Sequence, residues 1–324
     1  MAFGEFDLIQ TYFTQRWHTR DDAEVGIGDD GAILTPAEGS QLIVATDTMV
    51  AGVHFDAQTP ARAIGHKVAA VNLSDLAAMG AEPAWLSLAL TLPQLDHDWL
   101  THFSQGLREI CEYYNCQLIG GDTTQGPLTV TVTAQGFVPQ GQALRRDGAK
   151  PGDWIYVSGT LGDAGLALAA QQHRAHISDN HYHRVLERLY FPSPRVALGQ
   201  SLREIASSAI DISDGLAADL GHILKASQVG ARIDVDELPM SLALTESLTA
   251  DEAIDYALSS GDDYELCFTV PESRRGVFDT LVARHSAKPT CIGRVTNEAG
   301  RLKLERDGET WQAPSTRLGY EHFS

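Results

Sequence analysis

Positive charge is what this chain is short of. Its 324 residues carry 24 Lys and Arg against 43 Asp and Glu, a net charge of −19. Nucleic acid and anionic membrane both require a basic face, so neither is expected as a partner. Cysteine is scarce as well. Cys111, Cys116, Cys267 and Cys291 follow no zinc or disulfide spacing, which fits a reducing cytoplasm and leaves them as small core residues. No basic-then-apolar leader opens the sequence, because Glu5 and Asp7 stand among its first residues. No apolar run is clean enough to span a membrane; the most apolar long window, 69–92, contains Asn72, Asp75, Glu82 and Pro83. With 43% hydrophobic residues the chain can still bury a real core, and its length argues for two domains.

What is present is aspartate in unusual company. From Ala69 to Ala81 nearly every residue is apolar or small, and Asp75 is the one carboxylate. Asn72, Asp75 and Met79 share a helical face, and Gly80 and Pro83 end the helix. A helix apolar on all sides is a buried one, and a buried lone carboxylate needs a cation or several hydrogen bonds. Asp75 therefore reads either as a core residue capping a neighbouring loop or as a functional ligand. Elsewhere, apolar runs lead into small residues and then acids. Gln41–Thr46 leads into Asp47, Cys116–Ile119 into Gly120-Gly121-Asp122, Ser208–Ile210 into Asp211 and Asp214, and Ala257–Gly261 into Asp262 and Asp263. The glycine-rich turn Gly26–Ala32 holds Asp29 and Asp30, adjacent carboxylates that repel unless something positive lies between them.

One strand-end aspartate is a helix cap as readily as a ligand; several argue for a shared site beyond the strand ends of an α/β fold. Oxygen donors without His or Cys point to magnesium, which is seldom caged by protein alone and usually bridges carboxylates to substrate phosphates. The sequence thus points to a polyphosphate substrate and several magnesium ions. Gly26–Ala32 is no Walker P-loop, since it lacks Gly-Lys-Ser/Thr and its acidic side chains would repel a bare phosphate, and the glycine spacing at Gly159–Gly165 is neither the Walker nor the Rossmann pattern. In the basic, turn-rich stretch Leu144–Asp153, Arg145 reads as a solvated charge and Arg146 as a phosphate fork. This stretch marks a domain junction, with domains at 1–147 and 148–324. His181 and His183 fall in a polar helix or loop, and His54 reads by itself as a satisfied core histidine. An amphipathic helix is expected over residues 4–14, with Phe6, Ile9, Tyr12 and Phe13 on one side, and aromatics close the chain at 318–323.

Gly28-Asp-Asp-Gly-Ala32, Ala45-Thr-Asp-Thr-Met-Val50 with His54-Phe55, Val71-Asn-Leu-Ser-Asp-Leu-Ala-Ala-Met-Gly80, Gly120-Gly-Asp-Thr-Thr124 and Asp211-Ile-Ser-Asp-Gly-Leu216 occur in one order. Together with Asp263-Tyr-Glu-Leu-Cys-Phe268 and the aromatic tail, they resemble the thiamine-monophosphate kinase family from Gly4 to Phe323. That family sits within the aminoimidazole-ribonucleotide-synthetase-like superfamily. The resemblance implies a two-domain α/β (α+β) fold, with an N-terminal domain that forms a β-barrel across a homodimer and a C-terminal α/β domain. It implies ATP-dependent phosphorylation of thiamine monophosphate to thiamine diphosphate in the cytoplasm. By position, Asp30, Thr46, Asp47, Asp75, Asp122, Asp211 and Asp214 would hold magnesium. Gly121, Asp122, Arg146 and Ser213 would contact ATP, and His54, Asp262 and Tyr320 the thiamine phosphate. Ala45 stands where relatives can carry a hydroxyl residue, so a metal contact there runs through backbone oxygen. Asp262 stands where relatives can carry Glu, which shortens its reach.

No general base stands out, and none is needed when the nucleophile is a phosphate oxygen with a second pKa of about 6. Two other ATP-using relatives of the superfold fit less well. The selenide enzyme needs a reactive Cys near its start, whereas the first here is Cys111; the hydrogenase-maturation enzyme ends in Cys, whereas this chain ends Phe323-Ser324. A non-catalytic acidic metal-binding protein would need neither Arg146 nor apolar surroundings for Asp75. A phosphohydrolase would need no second substrate.

Overall fold

The computed structural model describes residues 4–14, 17–283, 288–313 and 319–320. Chain contacts divide it into two compact units, one comprising Met1–Leu76 and Ala81–Gly141, the other Ala77–Gly80 and Gln142–Ser324. Of the expected aromatic tail, all but Gly319 and Tyr320 lies outside the described residues.

The first unit opens with α1 (Glu5–Leu8), which runs into a π-helical turn over Ile9–Thr14. Leu8 and Phe13 are buried, but Phe6 is 84% exposed. The wider π turn rotates the register between the two phenylalanines, so the amphipathic face expected over 4–14 loses Phe6. A small two-stranded sheet pairs β1 (Ala23–Val25) with β2 (Ile33–Leu34). The main sheet contains β3 (Ser40–Val50), β4 (Glu82–Leu92), β5 (Gln117–Gln125) and β6 (Thr129–Pro139), in the order β3-β6-β4-β5. Only β4 and β5 are parallel. It is an open sheet, and among the described residues no closed barrel forms within the chain.

Alternation explains how this sheet faces its helices. In β6 the buried residues are Val130, Val132 and Ala134, while the intervening threonines are half-exposed. The apolar face packs against α2 (Ala61–Ala78) and α3 (His97–Tyr113) in a core containing Val68, Leu73, Leu76, Phe103 and Leu107. The reading of 69–80 as a buried helix holds, and the helix begins earlier, just after Pro60. Asp96 caps α3, its side chain accepting from the Trp99 amide at 3.0 Å.

Two strands run further than the sequence pattern suggests. β3 continues through Asp47 to Val50, and β5 continues through Gly120, Gly121 and Asp122 to Gln125. Asp47 and Asp122 therefore lie within strands rather than beyond their ends. The extension of β5 depends on Gly121, which has φ +149° and faces Leu88 of β4 in the parallel register. A Cβ there would lie 1.7 Å from the Leu88 carbonyl oxygen.

The second unit is built on seven strands: β7 (Trp154–Val157), β8 (Ser208–Asp211), β9 (Gly230–Asp234), β10 (Leu266–Val270), β11 (Thr290–Thr296), β12 (Leu302–Arg306) and β13 (Glu309–Thr310). Their order is β13-β12-β9-β11-β7-β10-β8, and only β9 and β12 run parallel. Among the described residues seven α-helices accompany them: α4 (Asp163–Gln171), α5 (Asp179–Tyr190), α6 (Val196–Ser201), α7 (Leu216–Ser227), α8 (Leu242–Ser247), α9 (Ala250–Ser259) and α10 (Arg275–Val282). The core joins sheet residues such as Ile155, Val157 and Ile210 to helical residues such as Leu166, Leu220, Ile223 and Ile254. The stretch holding His181 and His183 falls in α5, where His181 pairs with Glu246 at 2.8 Å. Cys111, Cys116 and Cys267 are buried, Cys291 is half-buried, and all four are free thiols. No helix among the described residues is long and apolar enough to cross a membrane.

Replacing Gly121 by Ala forces a methyl group into the Leu88 carbonyl, and neither backbone can yield without losing the β4–β5 ladder. Gly121→Ala is expected to cost about 3 kcal/mol of stability, at the upper end of overpacking penalties. Urea unfolding checks this; a midpoint equal to wild type would mean that β5 re-registers freely.

Candidate functional site

The most connected of the expected positions lie on the turn after β8. This strand ends on Asp211, which is 5% exposed, and residues 212–215 lead into α7. All three amides of Ser213, Asp214 and Gly215 donate to one oxygen, Oδ2 of Asp219, at 3.0, 3.0 and 3.1 Å. The carbonyls of the same turn face other chain segments. Ile212 O accepts from the Tyr264 amide at 2.8 Å, Ser213 O from the Asp262 amide at 2.8 Å, and Asp214 O from the Tyr320 amide at 3.0 Å. Four positions expected in ligand binding (Ser213, Asp214, Asp262 and Tyr320) are thereby tied together through main chain. Asp262 and Tyr264 have φ of 61° and 49°, and the Tyr264 hydroxyl donates to Asp262 Oδ1 at 3.0 Å. Left-handed geometry in non-glycine residues costs on the order of 1–3 kcal/mol each and persists where surrounding bonds enforce it. Here the two backbone bonds to the 212–213 carbonyls do so.

Below this loop lies a charged network. Glu265 is fully buried; it receives the Arg188 guanidinium at 2.8 Å, Arg195 Nε at 2.6 Å and the Ser158 hydroxyl at 2.6 Å. Asp263 is 2% exposed and accepts from the Gly162 amide at 2.9 Å. Burial pushes the Asp263 carboxyl well above its usual range, against the opposing pull of Arg188 and the Gly162 amide.

Asp219 is the residue that sequence reading missed, although an acid in the first turn of a helix behind a Gly N-cap is a legible sign. Three backbone donors ordinarily hold a carboxylate pKa low. At Asp219 they lose: burial first, then the charges of Asp211 and Asp214, push it up to about 7. Burial and anionic repulsion together thus outweigh three hydrogen bonds, and a cation beside Asp211 and Asp214 would relieve the repulsive part. This is a donor set suited to a hard divalent ion. Among the described residues no three His, Cys, Asp or Glu side chains converge tightly enough to hold a metal unaided.

In the first unit, α2 and β3 bring two expected ligands into one neighbourhood. Asn72, fully buried, accepts from the Asp47 amide through Oδ1 at 3.1 Å and donates to Val68 O at 3.0 Å. Asp75 lies on the same helical face one turn on, and it is half-buried rather than sequestered. The opening of α2 at Asp75 and Met79 corrects the expectation of a fully buried carboxylate and makes a ligand role easier. Thr46 does not share Asp47's side of the strand: its hydroxyl meets that of Thr133 at 2.9 Å, as Thr48 meets Thr131 at 2.8 Å. Asp30 is exposed in its glycine-rich turn, and Gly121 and Asp122 are exposed on β5. The Val50 amide donates to His54 Nδ1 at 3.0 Å, which fixes the ring tautomer with its proton on Nε2. His54 is thus held by main chain, as a satisfied histidine is. Back in the second unit, Arg145 is committed to Asp147 through two contacts at 2.9 and 2.6 Å. Arg146 is exposed, and among the described residues its guanidinium has no ion pair.

Residues 28–138 match the model of the AIR synthase related protein N-terminal domain, and residues 150–305 that of its C-terminal domain. The thiamine-monophosphate kinase of Salmonella typhimurium is 50% identical, aligned over 100% of this chain and 99% of its own. The crystal structure of thiamine-monophosphate kinase from Stenotrophomonas maltophilia K279a superposes with a TM-score of 0.84 at 48% identity, covering 94% of this chain and 96% of that one. AaThiL complexed with AMPPCP and TMP gives 0.76 at 30% identity, over 98% and 97% of the two chains.

The Asp219 environment has a pH signature. Because its folded pKa lies above the unfolded value of 3.8, its protonated form stabilises the metal-free protein fully below pH 4. That contribution is lost as pH rises through about 7 and amounts to about 4 kcal/mol. Asp219→Asn keeps the acceptor oxygen without the charge, so it should gain stability relative to wild type between pH 5 and 8. Paired urea titrations in chelator measure the difference; one that stays constant with pH would place Asp219 outside the anionic cluster.

Proposed function

The chain belongs to the thiamine-monophosphate kinase family, and on that premise we propose that it transfers the γ-phosphoryl group of ATP to thiamine monophosphate. The products are ADP and thiamine diphosphate. The observation that carries this reading is the 211–215 turn, where Ser213 and Asp214, expected on the ATP and metal side, are bonded to Asp262 and Tyr320, expected on the acceptor side. A relative that aligns over nearly the whole chain binds AMPPCP and TMP together. AMPPCP has a methylene in place of the β–γ bridging oxygen of ATP, so that pair corresponds to donor and acceptor held at once.

The acceptor oxygen is already an anion near neutral pH, so the chain has no proton to remove before attack. Its task is to hold two polyanions in line and to meet the charge of the transition state. Bound magnesium would supply the positive charge that offsets their repulsion. In the first unit Asp30, Asp47, Asp75 and Asp122 would hold ions, with Thr46 contributing backbone oxygen; in the second, Asp211 and Asp214 would. Arg146 would fork a phosphate, and the amides near Gly121 and Ser213 would approach ATP closely. His54 would donate from Nε2 to the acceptor phosphate, while Asp262 and Tyr320 contact the thiamine moiety. We infer direct in-line transfer without a phosphoenzyme.

Asp75→Asn tests the metal role with a near-isosteric change on a partly open helix face. The variant should fold with wild-type circular dichroism and lose at least about 100-fold in kcat, in the range of removing a principal electrostatic contact. ADP release with thiamine monophosphate, and with unphosphorylated thiamine as control, is the measurement. Turnover equal to wild type at low magnesium would remove Asp75 from the site. Equal turnover with both acceptors would refute the proposed substrate.

We infer a homodimer as well. β3 pairs only with β6 among the described residues, so its other edge is unpaired, and Leu42 and Val44 of the same strand are 47% and 56% accessible. An open apolar edge is a liability unless another chain covers it. We infer that a second copy does so and that the two sheets close a barrel. Val44→Glu should convert a dimer into a monomer in sedimentation equilibrium; a wild-type monomer would rule the arrangement out. Free thiols throughout fit a cytoplasmic location.

A further inference from the structure

The turn between β8 and α7 cannot be capped in the ordinary way. Gly215 occupies the N-cap of α7 with φ +122° and offers no side chain. A Cβ at this position would lie 2.9 Å from the carbonyl carbon and 3.0 Å from the Cα of Ser259, at the end of α9. A Ser, Thr, Asp or Asn cap is therefore excluded by packing, and the amides of 213–215 need another acceptor. They find it in Asp219, which lies one turn into α7, is 3% exposed, and reaches back with a single oxygen.

With its amides held inward, the turn presents its carbonyls outward, and residues 262, 264 and 320 hang from them. We propose that Asp219 is a positioning residue for phosphoryl transfer: by fixing the 213–215 amides it sets the turn that carries Ser213 and Asp214, and through the turn's carbonyls the loop that carries Asp262. Asp219 touches neither substrate in this scheme, and its effect passes through backbone. The proposal rests on the kinase reading for its consequence in turnover, whereas the mechanical coupling does not.

Hydrogen exchange followed by mass spectrometry, together with steady-state kinetics, tests it on Asp219→Ala, Asp219→Asn and Ile223→Val. Asp219→Ala should speed exchange in peptides covering 212–216 and also in those covering 260–265. It should lower kcat at least about 10-fold, with a smaller change in KM for ATP, as displacement of reacting groups does. Asp219→Asn, which keeps the acceptor oxygen, should be intermediate in both peptides and in kcat. It carries the test should the Ala variant fail to fold. Ile223→Val, buried one turn further along α7, should lower Tm while leaving exchange at 260–265 and kcat unchanged. Faster exchange confined to 212–216, with kcat within about twofold of wild type, would make Asp219 a local cap and overturn the proposal. Equal exchange changes at 260–265 in Ile223→Val would overturn it too, since general loosening would then suffice. A wild-type protein that phosphorylates no thiamine monophosphate would refute the kinase reading instead, and the exchange result would be read independently of it.

Discussion

One buried carboxylate oxygen holds the second unit's functional surface in order. Asp219 accepts three successive amides, and those three bonds decide which way the 212–215 peptide planes turn. The arrangement is electrostatically costly, since Asp211 and Asp214 are near enough to push its pKa up to about 7 together with burial. A protein that needed only a helix cap would avoid placing a third acid there. Crowding of this kind favours positive charge beside the turn, which is what the proposed kinase reading would bring there.

The first unit meets a similar need with a neutral group. Asn72, fully buried, orders the backbone of Asp47 by one hydrogen bond and donates to Val68 O within its own helix. An amide suits that place because burying a second charge next to Asp75 would be far more costly than burying a satisfied dipole. Each unit thus uses a buried polar residue to hold the backbone of neighbours.

Much of this was readable in the chain. The apolar run ending at Asp211 and the helix through Asp75 both follow from local pattern. The misreadings share a cause. Asp47 and Asp122 look like strand ends because acids are poor strand formers, yet both strands continue where neighbouring strands supply the ladder. Phe6 leaves the apolar face because a π turn, invisible in a 3.6-residue pattern, intervenes. Asp75 looked buried because its sequence neighbours are, but a helix has a circumference, and one side of this one opens.

The sequence by itself determined the helices and strands with strong periodicity, the acidic, oxygen-only donor chemistry, and the family to which the motifs belong. These depend on residue type and short spacing, which sequence carries in full. Tertiary structure alone decided that Asp219 is the partner of the 213–215 amides, that Asp262 and Tyr320 hang from the same turn, and that Gly121 is required by the Leu88 carbonyl. Each is a contact whose geometry depends on how backbones separated along the chain, or folded back over one helical turn, approach each other. Such approaches are set by packing of the whole unit, and no local pattern encodes their distance.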